Sequence, residues 1–240
     1  MSRHDTGGVQ KLFAPGLVLV RMFGVCWSCG EWEPEKDIIE RSEHAVAVCP
    51  ACKYEQPFRY LPLLVVTGAS GVGKSTVLHE IVRGAVTGDT SMTDAIVPLE
   101  SDALWAAGAK MDTHAYTSLW QRVCVGIHQA GRPVLLFGAG LNPENMEPTA
   151  YRRYFPSIHY LAFVADEDAL SARLGARPDW RGSSSPESIR EHIDYNRALQ
   201  SGELSSAGVP IDTLDTTDQS VEASVSATSN WIQSVLSNYQ

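Results

Sequence analysis

The sequence predicts an α/β fold, a parallel sheet flanked by helices, with a small metal-held module ahead of it. Three observations predict it. From residue 63 onward, short apolar runs alternate with helix-compatible stretches, as in chains built from βαβ units. The first of these runs, Leu63-Leu64-Val65-Val66-Thr67, enters a glycine-rich turn that opens into a helix-compatible stretch from Thr76 to Val86. Two C-x₂-C pairs precede that run, at Cys26/Cys29 and Cys49/Cys52. The 240 residues divide accordingly into a loose polar tail at 1–15, a ribbon at 16–60 and an α/β domain at 61–240. Pro57 and Pro62 bracket a short joint in place of a linker, so the ribbon is expected to pack directly on the domain.

The elements follow in order. After the first strand and helix comes a second strand at Ala95-Ile96-Val97-Pro98-Leu99. A helix from Tyr116 to Ala130 places Leu119, Val123 and Ile127 at four-residue spacing and stops at Gly131, a residue suited to a helix end. Pro133 to Phe137 forms the third strand and Ile158 to Val164 the fourth. Asp166 caps a short helix ending near Gly175, and Ser185-Pro186-Glu187 starts the next, with proline and an acid in its first turn. Pro210 to Leu214 is the fifth strand, and a helix from Ser220 to Leu236 closes the chain. The apolar stretch from Gly16 to Cys26 is short and interrupted by Arg21, too little for a membrane span or a signal segment. A cytoplasmic compartment is therefore expected, where thiols stay reduced.

The glycine-rich turn carries the strongest chemical signal. Gly68-Ala69-Ser70-Gly71-Val72-Gly73-Lys74-Ser75, followed by Thr76, fits the phosphate-loop pattern G-x-x-x-x-G-K-[ST] known as Walker A. Such a loop turns backbone N–H groups toward an anion at a helix N-terminus, where the helix dipole also favours negative charge. Lys74 brings a mobile cation to the β- and γ-phosphates, and the Ser75 hydroxyl is placed to bind Mg²⁺. A ligand-free turn is the plain alternative. The strand before, the Lys-Ser pair and the helix after all favour the phosphate loop.

The two cysteine pairs, nineteen residues apart, match the spacing of a four-thiolate zinc site at Cys26, Cys29, Cys49 and Cys52. Disulfides and a C-x-x-C redox motif compete with this reading. The first needs an oxidising compartment, and the second normally a single pair opening a helix. Four protein thiolates leave no open position, so the expected zinc is structural. His44 reads as a surface residue and Cys124 as part of the core. Between residues 21 and 59 seven acids face five bases, and the whole chain carries a formal charge of −9. No nucleic-acid or membrane partner is expected from such a balance. A scaffold or a contact for a protein partner suits the ribbon better.

Acidic and basic candidates complete the picture. The second strand leads into Glu100-Ser101-Asp102, and ligands of open α/β sheets sit beyond the carboxyl ends of the strands. On an extended chain the two acids point the same way. Glu100 is placed to hold Mg²⁺ through its water shell, and Asp102 to take a proton from an acceptor hydroxyl. A solvated strand end is the alternative. Arg173, Arg177 and Arg181 recur at four-residue spacing, with 173 and 177 on one helical face and Pro178 breaking the helix. Guanidinium groups on a mobile segment suit closure over a triphosphate, and Arg181-Gly-Ser-Ser-Ser185 has the composition of a hinge. Pairing on the surface with Asp166, Glu167 and Asp179 is the alternative. Arg152-Arg153 and Asn196-Arg197 are weaker basic candidates. Trp105 and Tyr116 are read as pocket lining or core, Tyr116 as core.

From about Pro62 to the C-terminus this pattern resembles the P-loop kinases of the nucleoside monophosphate, shikimate and gluconate kinase group. The resemblance rests on GASGVGKS, on Glu100-Ser-Asp102 in the place of their D-x-D-type motif and on Arg173…Arg177 in the place of their lid arginines. It implies a P-loop NTPase-type five-stranded parallel sheet in the order 2-3-1-4-5, and a place for adenine along Leu214-Asp215-Thr216-Thr217. The fusion to a ribbon resembles bacterial chains described as nucleoside kinases or ATP-binding proteins. The third strand departs from the pattern. It ends in Phe137-Gly138-Ala139-Gly140 without the usual metal-binding acid, which moves that duty to Glu100, to Asp102 or to a water network. The expected function is a Mg-ATP-dependent kinase acting on a hydroxyl or phosphate of a small metabolite. A nucleotide-driven switch or assembly protein acting through the ribbon on a protein partner is the rival.

Overall fold

The structure is a computed structural model that describes residues 24–41, 44–88, 91–105, 111–178, 182–205 and 208–239. The tail expected at 1–15, Arg181 and the side chain of Trp105 lie outside the described residues. Among the described residues a five-stranded parallel sheet forms the centre. Its strands are β4 (Leu63–Gly68), β5 (Val97–Glu100), β6 (Val134–Phe137), β7 (Ile158–Val164) and β8 (Ile211–Asp215), in the order β5-β6-β4-β7-β8. Counted from the strand entering the glycine-rich turn, this is second-third-first-fourth-fifth.

β4 and β6 are buried along their whole length, which is why they read as unbroken apolar runs and not as alternating ones. Successive side chains still face opposite ways. Leu63, Val65, Val134 and Leu136 enter a core on one face, and Leu64, Val66, Leu135 and Phe137 a core on the other. The first core is covered by α4 (Thr113–His128) and a 3₁₀ turn (Ala150–Tyr154). The second is covered by α1 (Lys74–Thr87), α6 (Glu167–Gly175) and α8 (Val221–Leu236). Cys124 is fully buried in the first core, and burial pushes its thiol far up. No described helix is long and apolar enough to cross a membrane.

Several boundaries differ from expectation for identifiable reasons. The first helix starts at Lys74, because the loop delivers its last N–H groups straight into it from a left-handed Gly73. A short unforeseen helix, α2 (Ser91–Ala95), takes up the start of the expected second strand, and Ile96 N donates back to Met92 O. That strand therefore begins at Val97 and ends at Glu100, and the chain turns at once into α3 (Asp102–Trp105), so Asp102 is not on extended backbone. Ser185 and Ser220 cap α7 (Pro186–Ser201) and α8 by accepting from Ser188 N and Ala223 N. Asp166 stands at the cap position of α6 without making that bond; its own N–H donates to Thr217 Oγ1 at 2.8 Å.

Ahead of this sheet, β1 (Asp37–Glu40), β2 (Ala45–Val48) and β3 (Glu55–Phe58) form a three-stranded antiparallel sheet. Ala45, Ala47 and Phe58 join the α4 core directly, and Phe58 meets Tyr154 edge-on at 5.6 Å. The two sheets thus share one hydrophobic interior across the joint.

Candidate functional site

The glycine-rich turn occupies the carboxyl end of β4. Gly68, at φ 141°, lies so close to β7 that a Cβ would sit 2.4 Å from Phe163 O, and Gly71 and Gly73 take φ of 94°. Lys74 reaches back over the loop and donates to Gly68 O at 2.7 Å and Ala69 O at 2.8 Å. Burial lowers its ammonium to about 8; Asp102 opposes the shift, Arg177 adds to it and Glu100 opposes it.

The Ser75 hydroxyl donates to Glu100 Oε1. That contact reaches from β4 past β6 to β5, over the strand end that lacks an acid. Gly138 explains why none stands there. A Cβ at 138 would lie 2.2 Å from Ser101 Oγ and 2.7 Å from Leu141 Cδ1, so any side chain would collide. The acid that faces Ser75 therefore comes from the neighbouring strand, where Glu100 is in register with Phe137.

Three adjoining cavities meet at the loop. A cleft of about 340 Å³ holds Lys74, Ser75, Glu100, Asp102, Arg173 and Arg177 on its walls. On one side a cavity of about 240 Å³ runs along the end of β8, between Val72, Arg173, Thr216, Gln219 and Ser224. On the other a cavity of about 790 Å³ opens between α4 and α7, lined by Asp102, Tyr116, Asn145, Arg177, Ser183 and His192. The first and second share Gly71, Gly73, Thr76 and Arg173. The first and third share Ser70, Asp102, Ala139 and Arg177.

The structure thus brings the loop, Glu100, Asp102, Arg173 and Arg177 to one cleft. The contacts of the two described arginines differ from each other. Arg173 donates through Nη2 to Thr216 O at 2.9 Å and Thr217 O at 2.7 Å, tying α6 to the loop after β8 and not to a surface acid. Arg177 lies just past the end of α6, where its N–H donates to Leu174 O and its Nη1 to Ser183 Oγ at 3.3 Å. The weaker basic candidates stand elsewhere. Arg152 pairs with Glu147 at 2.5 Å, Arg153 with Glu35 at 3.3 Å, and Arg197 with Glu167 at 2.7 Å. Asn196 is buried and brackets the backbone of Ala165.

Tyr116, expected in the core, also lines the large cavity and donates to Ser101 O at 2.7 Å, beside Asp102. Tyr195 on α7 was not legible in the sequence. Its hydroxyl meets Thr67 Oγ1 at 3.0 Å and accepts from Gly140 N at 3.2 Å, which ties α7 to the strand end below the loop. Nearby, His192 is held below the ordinary histidine range, chiefly by burial and then by the charges of Lys74 and Arg177. A tyrosine or histidine on a helix has no local signature for such long-range contacts.

Far from this cleft the four cysteines converge. Their sulfurs lie within 4.8 Å of one another, with Cys26 to Cys52 at 3.6 Å and Cys29 to Cys49 at 3.8 Å, and all are free thiols. A tetrahedral zinc with bonds of about 2.3 Å separates its sulfurs by about 3.8 Å, so the cluster fits that ion. Cys26 is lowered to about 6, first by the backbone N–H of Cys29. The buried ammonium of Lys36, which donates to Gln56 Oε1 at 3.3 Å, feels all four sulfurs and offsets part of their negative charge. His44 is exposed and outside the cluster.

No family model and no curated protein matches the chain. Solved structures similar to it include a sugar kinase from Janibacter, at 18% identity and a TM-score of 0.49, covering 72% of this chain and 95% of that one. They also include a gluconokinase from Sinorhizobium meliloti, at 16% identity and a TM-score of 0.46, covering 76% of this chain and 99% of that one.

Proposed function

We propose that the chain is a Mg-ATP-dependent phosphotransferase acting on a hydroxyl or phosphate of a small metabolite. The observation that carries this reading is the row of three cavities joined at the phosphate loop, with Asp102 and Arg177 on the boundary between the central cleft and the cavity between α4 and α7. The base and ribose take the cavity beside Thr216, the phosphates the cleft, and the acceptor the cavity between α4 and α7.

The loop N–H groups from Gly68 to Thr76 hold the β- and γ-phosphates, and Lys74 turns from its own carbonyls to the phosphate oxygens. Ser75 and Glu100 hold Mg²⁺, directly or through its waters, and the ion when bound neutralises phosphate charge. Asp102 orients the acceptor hydroxyl and takes its proton as that oxygen bonds to the γ-phosphorus and the bond to the β-bridging oxygen breaks. Arg177 balances the charge of the transferring group, Arg173 fixes the base-side loop and Arg181 closes over the cleft. The four thiolates hold a structural zinc within the ribbon.

The test is ATP consumption across nucleosides, nucleotides, sugars, sugar acids and antibiotics, with product masses measured. A phosphoproduct matched to the ATP consumed is expected, together with loss of turnover in Lys74→Ala. Asp102→Asn should retain ATP binding and lose about 10²–10⁴-fold in transfer. ATP hydrolysis stimulated by a protein alone, with no phosphorylated acceptor, would replace this reading with that of a switch.

A further inference from the structure

We propose that the four-cysteine module braces the acceptor cavity, so that metal held by Cys26, Cys29, Cys49 and Cys52 sets the order of that cavity and leaves the phosphate loop unaffected. The meaning of "acceptor" rests on the function proposed above; the mechanical coupling rests on contacts alone.

The five-stranded sheet separates two cores, and α4, one wall of the acceptor cavity, lies on the core that the N-terminal sheet joins, while α7, its other wall, packs on the opposite core. Ala45, Ala47 and Phe58 of the N-terminal sheet pack into the core that holds Trp120 and Cys124 of α4 and Tyr151 and Tyr154 of the 3₁₀ turn. Among the described residues, none from the N-terminal sheet enters the opposite core, where α1, α6 and α8 support the nucleotide side. The module's polar contacts fall on the same elements. Tyr154 OH donates to Pro34 O at 2.9 Å, and Arg153 donates to Lys36 O and Glu35. Arg122 of α4 lies 5.0 Å over the ring of Trp32, and Gln129 accepts from Arg59 N at 2.8 Å.

Those segments of the chain sit between the two cysteine pairs or flank them. Trp32, Pro34, Glu35 and Lys36 follow Cys29, and Arg59 follows the second pair. Without an ion, the four thiols add only weak mutual hydrogen bonds to the few backbone bonds of the 26–36 turn, Cys26 N to Glu31 O at 2.9 Å and Glu33 N to Gly24 O at 2.7 Å among them, and the clamp between the two cysteine pairs is lost. On the far side, the braced elements are those that shape the cavity. α4 contributes Thr113, Tyr116 and Thr117, and Tyr116 holds the carbonyl of Ser101 next to Asp102. Gln121 of α4 donates to Met146 O at 2.7 Å, which steadies the short helix α5 (Pro143–Met146) bearing Asn145. Asn145 in turn donates to Gly140 O at 2.8 Å on the cavity wall.

The experiment is hydrogen exchange on the full chain loaded with zinc and on the same chain stripped by a chelator, with zinc content measured for both. Stripping should speed exchange at 113–128 and 150–154 by at least about tenfold while changing 74–87 by less than about threefold. Equal acceleration in both regions, or none at 113–128, overturns the proposal. The double variant Arg153→Ala/Tyr154→Phe keeps all four thiolates and removes the bonds to residues 34–36. It should retain one zinc and still exchange faster at 113–128; wild-type exchange there with zinc bound also overturns the proposal. Binding of Mg-ATP is measured alongside. Failure of the zinc-loaded chain to bind it removes the phosphotransferase reading and leaves the bracing to be judged on the exchange pattern.

Discussion

The hydroxyl of Ser75 donates to a carboxylate oxygen of Glu100, so the phosphate loop at the end of β4 is joined to the end of β5 across the strand between them. Glu100→Gln keeps the size of the side chain and removes the charge that would hold the proposed Mg²⁺. It should lower turnover by about 10²–10³-fold. Nucleotide affinity measured without magnesium should stay at the wild-type value. Calorimetric titration with and without the ion separates the two effects.

Lys74, lowered to about 8 chiefly by burial, should regain its proton when phosphate oxygens replace the loop carbonyls. Nucleotide binding then takes up protons at and above pH 8, so affinity falls as pH rises through the free-state value. Titration in two buffers of different ionisation enthalpy measures the uptake. The uptake should vanish in Lys74→Met. In the free protein the sign is the reverse of that for a stabilised cation: the buried charge costs stability below pH 8, and that cost fades between pH 8 and the ordinary lysine range.

The two described arginines should separate in kinetics. Arg173 holds the carbonyls of Thr216 and Thr217, so Arg173→Ala should raise KM for ATP by about tenfold through loss of charge-assisted hydrogen bonds. Arg177 stands where the cleft meets the acceptor cavity. Arg177→Ala should act mainly on kcat, by about 10²-fold or more. Steady-state kinetics with each substrate varied in turn distinguishes them.

Gly138→Ala should destabilise the fold by about 1–3 kcal/mol, because the added methyl group meets Ser101 and Leu141 in a packed region. Removing one obstacle in Ser101→Gly/Gly138→Ala should recover part of the loss. Urea denaturation of the three chains provides the comparison.

Most of the sheet was legible because its strands carry their own signal. Leu63–Thr67 and Ile158–Val164 are apolar on both faces and bounded by turns, and the glycine-lysine-serine pattern fixes where the chain bends. The cysteine spacing likewise brought four sulfurs together correctly. Contacts set by tertiary neighbours stayed hidden. Arg173 reads in the sequence as a lid arginine, with a surface acid as the alternative partner, yet it serves two carbonyls more than forty residues later. Tyr116 satisfies both a core and a cavity wall, which helical spacing alone does not reveal. α2 is too short and polar to show a periodic stripe, and it displaced the start of β5.

The tether from Lys74 to the carbonyls of Gly68 and Ala69 has a consequence for how the loop meets its guest. The ammonium acts as a keystone, holding the arch of the loop from inside through two of its own carbonyls. Under the proposed function, a polyphosphate would exchange one set of oxygens for another around the same nitrogen, with the loop already wound. On the function proposed above, capture would be a matter of swapping partners around a nitrogen already in position.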